Sequence, residues 1–426
     1  MRLQYLFQYA AALVLGAATL VGCSESEKTG CKGEGFTRCL GAFPPDAIEE
    51  DTSANGEQVQ KLIWYAGEEG PRCIKEFEEE YRSFIRAGDA DSKDLAIYLP
   101  PDGAWLVQSM NLLLQGGHAP QDYADRTKTL FTENTPFDFL KKAPFLYISA
   151  CDGSLYLSDR DYSESDLEKI VDEYDVPSPD TNPRFYRGFI NATASVNELA
   201  RQYPDPERVF LFGSLAGAFG VIGLAAHTAE LFPDADIFIF QDGSPAMAMG
   251  DVDPDFYTTM VKLWGADKMV PKDAGVYGES GHVMTLMNWV LERYDNVYAA
   301  TFASARETSI QNIINLAHPD QQPITPAIYS CFVTSTLEYV RSNAAEKADG
   351  RYNYYVVDQP ADNINELKGG DRTGDKEKYA LRLSDDSEGP TIHEWLNQLI
   401  TKSPDWTSHS ELPMTLDMMG HCKDAQ

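Results

Sequence analysis

The chain has 426 residues, 43% of them hydrophobic, enough to bury a large core in one α/β domain or two smaller ones. Its formal net charge of −31 excludes a nucleic-acid reader, because no basic face outweighs that field. It also disfavours a strongly anionic polymer as ligand.

Arg2 precedes an apolar run, Tyr9–Val21, which is too short to span a bilayer and has the make-up of a targeting segment. The run ends in Leu20-Val21-Gly22-Cys23, which resembles the lipobox of bacterial lipoproteins. That resemblance implies cleavage before Cys23, lipid on Cys23 and a place in the bacterial cell envelope. Ser24 after the cysteine points to the outer membrane. The expected organisation is a signal peptide over 1–22 and a polar tether with a Cys31/Cys39 loop over 23–58. A single domain then fills 59–426.

Cys23 aside, six of the seven cysteines remain. An even number in an exported chain is compatible with disulfides, and Cys31 and Cys39 are close enough to close a small loop. No Cys/His cluster has metal-ligand spacing, so neither a metal nor a cofactor is expected.

The globular pattern begins near Leu62. Lys93–Leu99, Asn111–Gln115 and Ala143–Ala150 read as strands. The second runs into Gly116-Gly117-His118, where a glycine pair lets backbone N–H groups approach a ligand. An amphipathic helix is expected from Tyr186 to about Tyr203. Val209–Phe212 is a short apolar run, as in a strand buried on both faces. Gly213, Ala216 and Gly217 supply small residues for a sharp turn, a helix follows from Ala218 to Leu231, and Asp236–Phe240 is the next strand. Strands alternating with helices predict an α/β fold with an open, mostly parallel sheet flanked by helices. Its central strand is Val209–Phe212, and ligands bind at the carboxyl ends of such strands.

Strand, small-residue turn and helix are also the setting of the nucleophile elbow G-x-S-x-G. Here the pentapeptide is Gly213-Ser214-Leu215-Ala216-Gly217. Further motifs are Thr135–Phe137, Arg187-Gly188 with Asn191, and Asp242-Gly243-Ser244. In order and spacing these stretches resemble the pectinacetylesterase/Notum family of carboxylesterases, from about Arg72 to Trp395. The resemblance implies an α/β-hydrolase-like fold that removes acyl groups from esters. It also implies a serine nucleophile at the elbow, an acid, a histidine base and backbone amides as oxyanion hole.

Carried over residue by residue, the resemblance puts Leu215 at the nucleophile position, where no atom attacks a carbonyl. Ser214 is the fallback nucleophile and Glu307 the fallback acid. The base falls in Ser330–Thr334 or near Pro360–Ile364, and neither stretch holds a histidine. Gly116, Gly117, His118, Ala216 and Asp242 are the expected pocket and oxyanion-type residues. His227 and His393 fall inside helices and read as structural or exposed. Leu215 is expected at positive φ. Two functions follow as expectations: a non-catalytic lipoprotein binding a glycan, an acylated ligand or a protein, or a carbohydrate or lipid deacylase with rearranged residues. The membrane is reached through Cys23.

Overall fold

The computed structural model describes residues 31, 35–53, 56–67, 69–73, 80–101, 123, 137–163, 165, 184–243, 265–276, 283–308, 311–312, 315, 324–360, 389–414 and 422. Cys23, Gly116, Gly117, His118, His282, His318 and the strand expected at Asn111–Gln115 lie outside the described residues.

Ten described strands form one sheet. In chain order they are β1 (Ala47–Thr52), β2 (Gln58–Trp64), β3 (Tyr81–Arg86), β4 (Asp94–Leu99) and β5 (Phe145–Tyr147), then β8 (Arg208–Ser214), β9 (Asp236–Asp242), β10 (Val297–Ser304), β11 (Tyr352–Val357) and β12 (His409–Ser410). Across the sheet the order is β1-β2-β3-β5-β4-β8-β9-β10-β11-β12. The pairings among β1, β2, β3 and β5 are antiparallel. All those from β5 through β4 to β12 are parallel. A two-stranded ribbon, β6 (Arg160–Tyr162) with β7 (Arg184–Tyr186), stands apart. Helices α1 (Gly188–Gln202), α2 (Ala216–Leu231), α3 (Thr285–Arg293), α4 (Pro326–Lys347) and α5 (Ile392–Ile400) connect and flank the strands. This is the open, mostly parallel sheet flanked by helices that the pattern predicts, with β8 near its middle.

The strands are apolar on both faces, and the faces differ. Leu95, Ile97, Val209, Leu211, Ile237 and Ile239 belong to an aliphatic core shared with α1 to α4. Tyr98, Phe210, Phe212, Phe238, Phe240 and Phe302 belong to an aromatic core shared with Trp395 and Leu396 of α5. The period of two that separates these sets also decides which way every side chain at a strand end points. Helix α2 reads A-G-A-F-G-V-I-G-L-A-A-H-T-A-E-L and is buried for nearly its whole length, as expected of a helix apolar all round. Helix α5 starts with a capping box, Thr391 Oγ1 accepting from Glu394 N at 3.1 Å and Glu394 Oε2 from Thr391 N at 2.7 Å.

Two boundaries differ from the expectation. The packed structure begins before residue 59: Phe36, Cys39 and Ala42 are buried, and β1 pairs with β2 as the sheet edge. This segment is polar in composition because β1 has an exposed side, so a hydrophobicity scan passes over it. The expected strand at Ala143–Ala150 is a ladder over Phe145–Tyr147 only. Three disulfides close the chain on itself: Cys31–Cys39, Cys73–Cys151 and Cys331–Cys422.

Candidate functional site

Between the last residue of β8 and the first of α2 stands one residue, Leu215, with φ 48° and ψ −111°. A side chain in that region is strained by about 1–3 kcal/mol. The flanking glycines explain why the chain reverses so tightly. A Cβ on Gly213 would run into the Gly217 carbonyl, and a Cβ on Gly217 into the Leu99 carbonyl. The turn is pinned by Leu215 N donating to Asp242 O at 3.1 Å and Ala218 N to Leu215 O at 2.9 Å. No side chain caps the helix. The elbow backbone is therefore present, with a half-buried leucine at its tip.

Ser214 is not displaced to the tip. It is the last residue of β8 and 7% exposed. Alternation with Phe210 and Phe212 sets it on the aromatic face, away from α2. Asp242 is its register partner on β9, on the same face. Gln241 points the other way, its Nε2 donating to Ala218 O at 2.7 Å while its Oε1 accepts from Thr301 Oγ1 at 2.8 Å. So β9 grips the first turn of α2 through both Asp242 O and Gln241.

On the β4 side the elbow meets carbonyl groups. Gly217 abuts Leu99 O and Pro100 O, and Pro100 O accepts from the Tyr156 hydroxyl at 3.2 Å. Pro100 and Pro101 have no N–H, so the first two residues after β4 supply no oxyanion donor. Tyr156 and its neighbour Leu155 both sit at positive φ, 61° and 55°. Tyr156 Cβ and ring pack where a side chain on Gly220 would fall.

The expected acid position follows β10; of the two stretches expected to hold the base, Ser330–Thr334 lies in α4 and the other begins beyond β11. Glu307 follows β10, is 1% exposed, and its Oε2 accepts from the Tyr329 hydroxyl of α4. Its own carbonyl accepts from Gln311 Nε2. Arg306 beside it makes a two-pronged pair with Asp358, Nε to Oδ1 at 2.6 Å and Nη2 to Oδ2 at 2.9 Å. Asp358 is the first residue beyond β11, and from there to residue 392 the sequence holds no histidine. His393 lies in the first turn of α5, half-buried. His409 is on β12 against the Tyr355 ring at 6.0 Å, where burial pushes its pKa down. His227 is fully buried in α2, far along the helix from the elbow.

The remaining motifs do structural work. Arg187 binds Asp159 at 3.2 Å and Asp161. A Cβ on Gly188 would meet Ser154 Oγ and the Tyr156 backbone. Asn191 brackets the backbone of Arg72, accepting from its N at 2.9 Å and donating to its O at 3.0 Å, next to the Cys73–Cys151 disulfide. Asp152, whose carboxyl burial pushes up, accepts from the Ser154 and Ser158 hydroxyls at 2.7 and 2.8 Å. Tyr329, the partner of Glu307, directly precedes the Ser330–Thr334 segment. Tyrosine in a helix carries no signal until a partner is known. Among the described residues no group of His, Cys, Asp and Glu is placed to hold a metal.

No family model matches the chain, and no curated protein matches it. Among solved structures it is similar to the Wnt deacylase Notum from Drosophila, at 12% identity and a TM-score of 0.46, over 88% of this chain and 99% of that one. A likeness of that size carries no argument about the site, which rests on the geometry above.

Proposed function

We propose that this chain is a lipid-anchored protein of the bacterial cell envelope that binds its ligand rather than turning it over. Its scaffold is of the ester-hydrolase kind. The observation that carries this reading is Leu215 at the tip of an intact elbow. A leucine there has no nucleophilic atom, and loss of a nucleophilic serine typically costs about six powers of ten in kcat. The absence of a histidine from residues 358–392 supports the same conclusion, as does Glu307 turned toward Tyr329. Backbone donors alone sustain about a 10³-fold effect over water, too little for a working esterase. A half-buried leucine suits the apolar face of a sugar, an acyl chain or a protein side chain.

Purified mature protein is to be tested with p-nitrophenyl acetate and with a fluorophosphonate probe. The expected result is no turnover and no labelling. Turnover abolished by Ser214→Ala would instead make Ser214 the nucleophile of a rearranged deacylase and overturn the reading. Metabolic labelling with palmitate is expected to mark wild type and not Cys23→Ala; no helix among the described residues is long and apolar enough to cross a membrane. Equal labelling of both would remove the anchor.

A further inference from the structure

The described N-terminal segment is held to the body of the protein by a buried polar hub, and the hub contains a histidine unrelated to the elbow. Phe36 enters the aliphatic core, its ring 5.9 Å from that of Phe189 on α1 and 6.0 Å from Trp289 on α3. It also packs over Gly223 of α2, where any side chain would press on the Phe36 ring. Behind it, Asn197 of α1 donates through Nδ2 to Cys39 O at 2.7 Å and Ala42 O at 3.0 Å. Its Oδ1 accepts from Gly41 N at 3.1 Å. Three backbone partners fix which end of this amide is oxygen. His227 of α2 then places Nε2 3.0 Å from that same Oδ1 and Nδ1 3.3 Å from Phe36 O.

Both ring nitrogens therefore face acceptors. A neutral imidazole has one N–H and satisfies one of them; only the imidazolium donates to both. Against that stands complete burial, with the Phe189 ring edge-on at 6.4 Å. Charged groups on the surrounding elements are engaged elsewhere: Arg38 of the segment with Asp159, Glu198 of α1 with Arg201, Glu230 of α2 with Tyr294, Glu292 and Arg293 of α3 with Lys347 and Asp273, Arg208 of β8 with Asp94 of β4, and Asp236 of β9 with Lys402. No carboxylate among the described residues is bonded to the ring, so an imported proton has no counter-charge.

We propose that residues 35–43 form an acid-releasable strap, docked while His227 is neutral and freed when His227 takes up a proton. Burial lowers the His227 pKa from 6.5 to about 4, only partly offset by the Phe36 carbonyl. In the undocked strap the ring meets water and returns toward its ordinary value. The docked form thus binds fewer protons between those two values. Docking is complete above about pH 6.5 and weakens as pH falls toward 4. Release would uncover the apolar ground under Phe36 on α1, α2 and α3, while Cys31–Cys39 keeps the freed segment looped.

The test is hydrogen exchange, read by mass spectrometry on the full mature chain and corrected for intrinsic rates. For a peptide covering Leu40–Phe43, exchange in wild type should rise more than about tenfold between pH 7.5 and pH 4.5, while a peptide from β8 stays protected. His227→Gln keeps one donor toward Asn197 and loses the titration, so its profile should be flat. If that variant fails to fold, the rate at which a phosphine reduces Cys31–Cys39 in wild type over the same pH range gives the same reading. A flat wild-type profile overturns the proposal. So does a His227→Gln profile that follows wild type, with the dependence lost instead in Asp159→Asn, since the Arg38–Asp159 pair would then be the switch.

Discussion

At the end of β8 the chain makes a tight strand–turn–helix reversal, with Leu215 at positive φ at its tip. Two and three strands away, at the ends of β10 and β11, Glu307, Arg306 and Asp358 are bound to other side chains. The difference has a physical cause. Gly213 and Gly217 are held by contacts between backbones, so any side chain there disturbs the junction of β8, β4 and α2 whatever the protein does. A nucleophile or a base has no such packing duty. Glu307 is buried and accepts from Tyr329 of α4, and Arg306 pairs with Asp358 between two strand ends. The fold itself requires glycine at this turn; it sets no such requirement on the side chains that follow β10 and β11.

The sharpest way to break this comparison is at the glycines. Gly217→Ala places a Cβ against the Leu99 carbonyl, a backbone group that has no rotamer to yield. Urea unfolding should show a loss of about 3 kcal/mol or more. A loss under about 0.5 kcal/mol would mean that the elbow relaxes freely and that its persistence needs another explanation.

A smaller effect is expected at Glu307. Tyr329→Phe leaves a buried carboxylate short of a donor and should cost about 1–3 kcal/mol in the same assay. If stability is unchanged but some ester turnover appears, the Glu307–Tyr329 bond is a restraint on catalysis and not an anchor.

Leu215→Gly tests the tip itself. Glycine occupies φ 48° and ψ −111° without the Cβ penalty, so stability should rise by about 1 kcal/mol. A fall of that size would show that the Leu215 side chain contributes more by packing than its backbone loses in strain. Leu215→Ser should still leave p-nitrophenyl acetate unhydrolysed, because a hydroxyl without a base in reach stays protonated.

Least of all is expected from Arg306→Ala. The guanidinium is half-exposed, and its pairing with Asp358 raises its pKa in a solvated setting, where such pairs are screened. No measurable change in the unfolding midpoint is expected. A clear loss would make the β10–β11 end a structural joint in its own right.

Local signals carried much of the fold. Val209–Phe212 followed by Gly213 and Gly217 announces strand, turn and helix, because a buried strand is an apolar run and a tight reversal needs small residues. The positive φ at Leu215 followed from the same pattern. Ser214 stands next to the tip and is the fallback nucleophile by sequence; only its alternation with Phe210 and Phe212 on the formed sheet places it facing away from α2. Glu307 was legible as a position and illegible as a role, since its partner Tyr329 is 22 residues away in sequence.

By itself the sequence determined an even set of six cysteines beside Cys23, the α/β alternation and the leucine at the turn after β8. Each of these is a property of residues adjacent in the chain. Tertiary structure alone decided the disulfide pairing, the aliphatic and aromatic faces, the burial of Glu307 and the hub joining His227, Asn197 and Phe36. Those depend on contacts across many residues, whose cost in chain entropy is met only when the whole sheet and its helices form together.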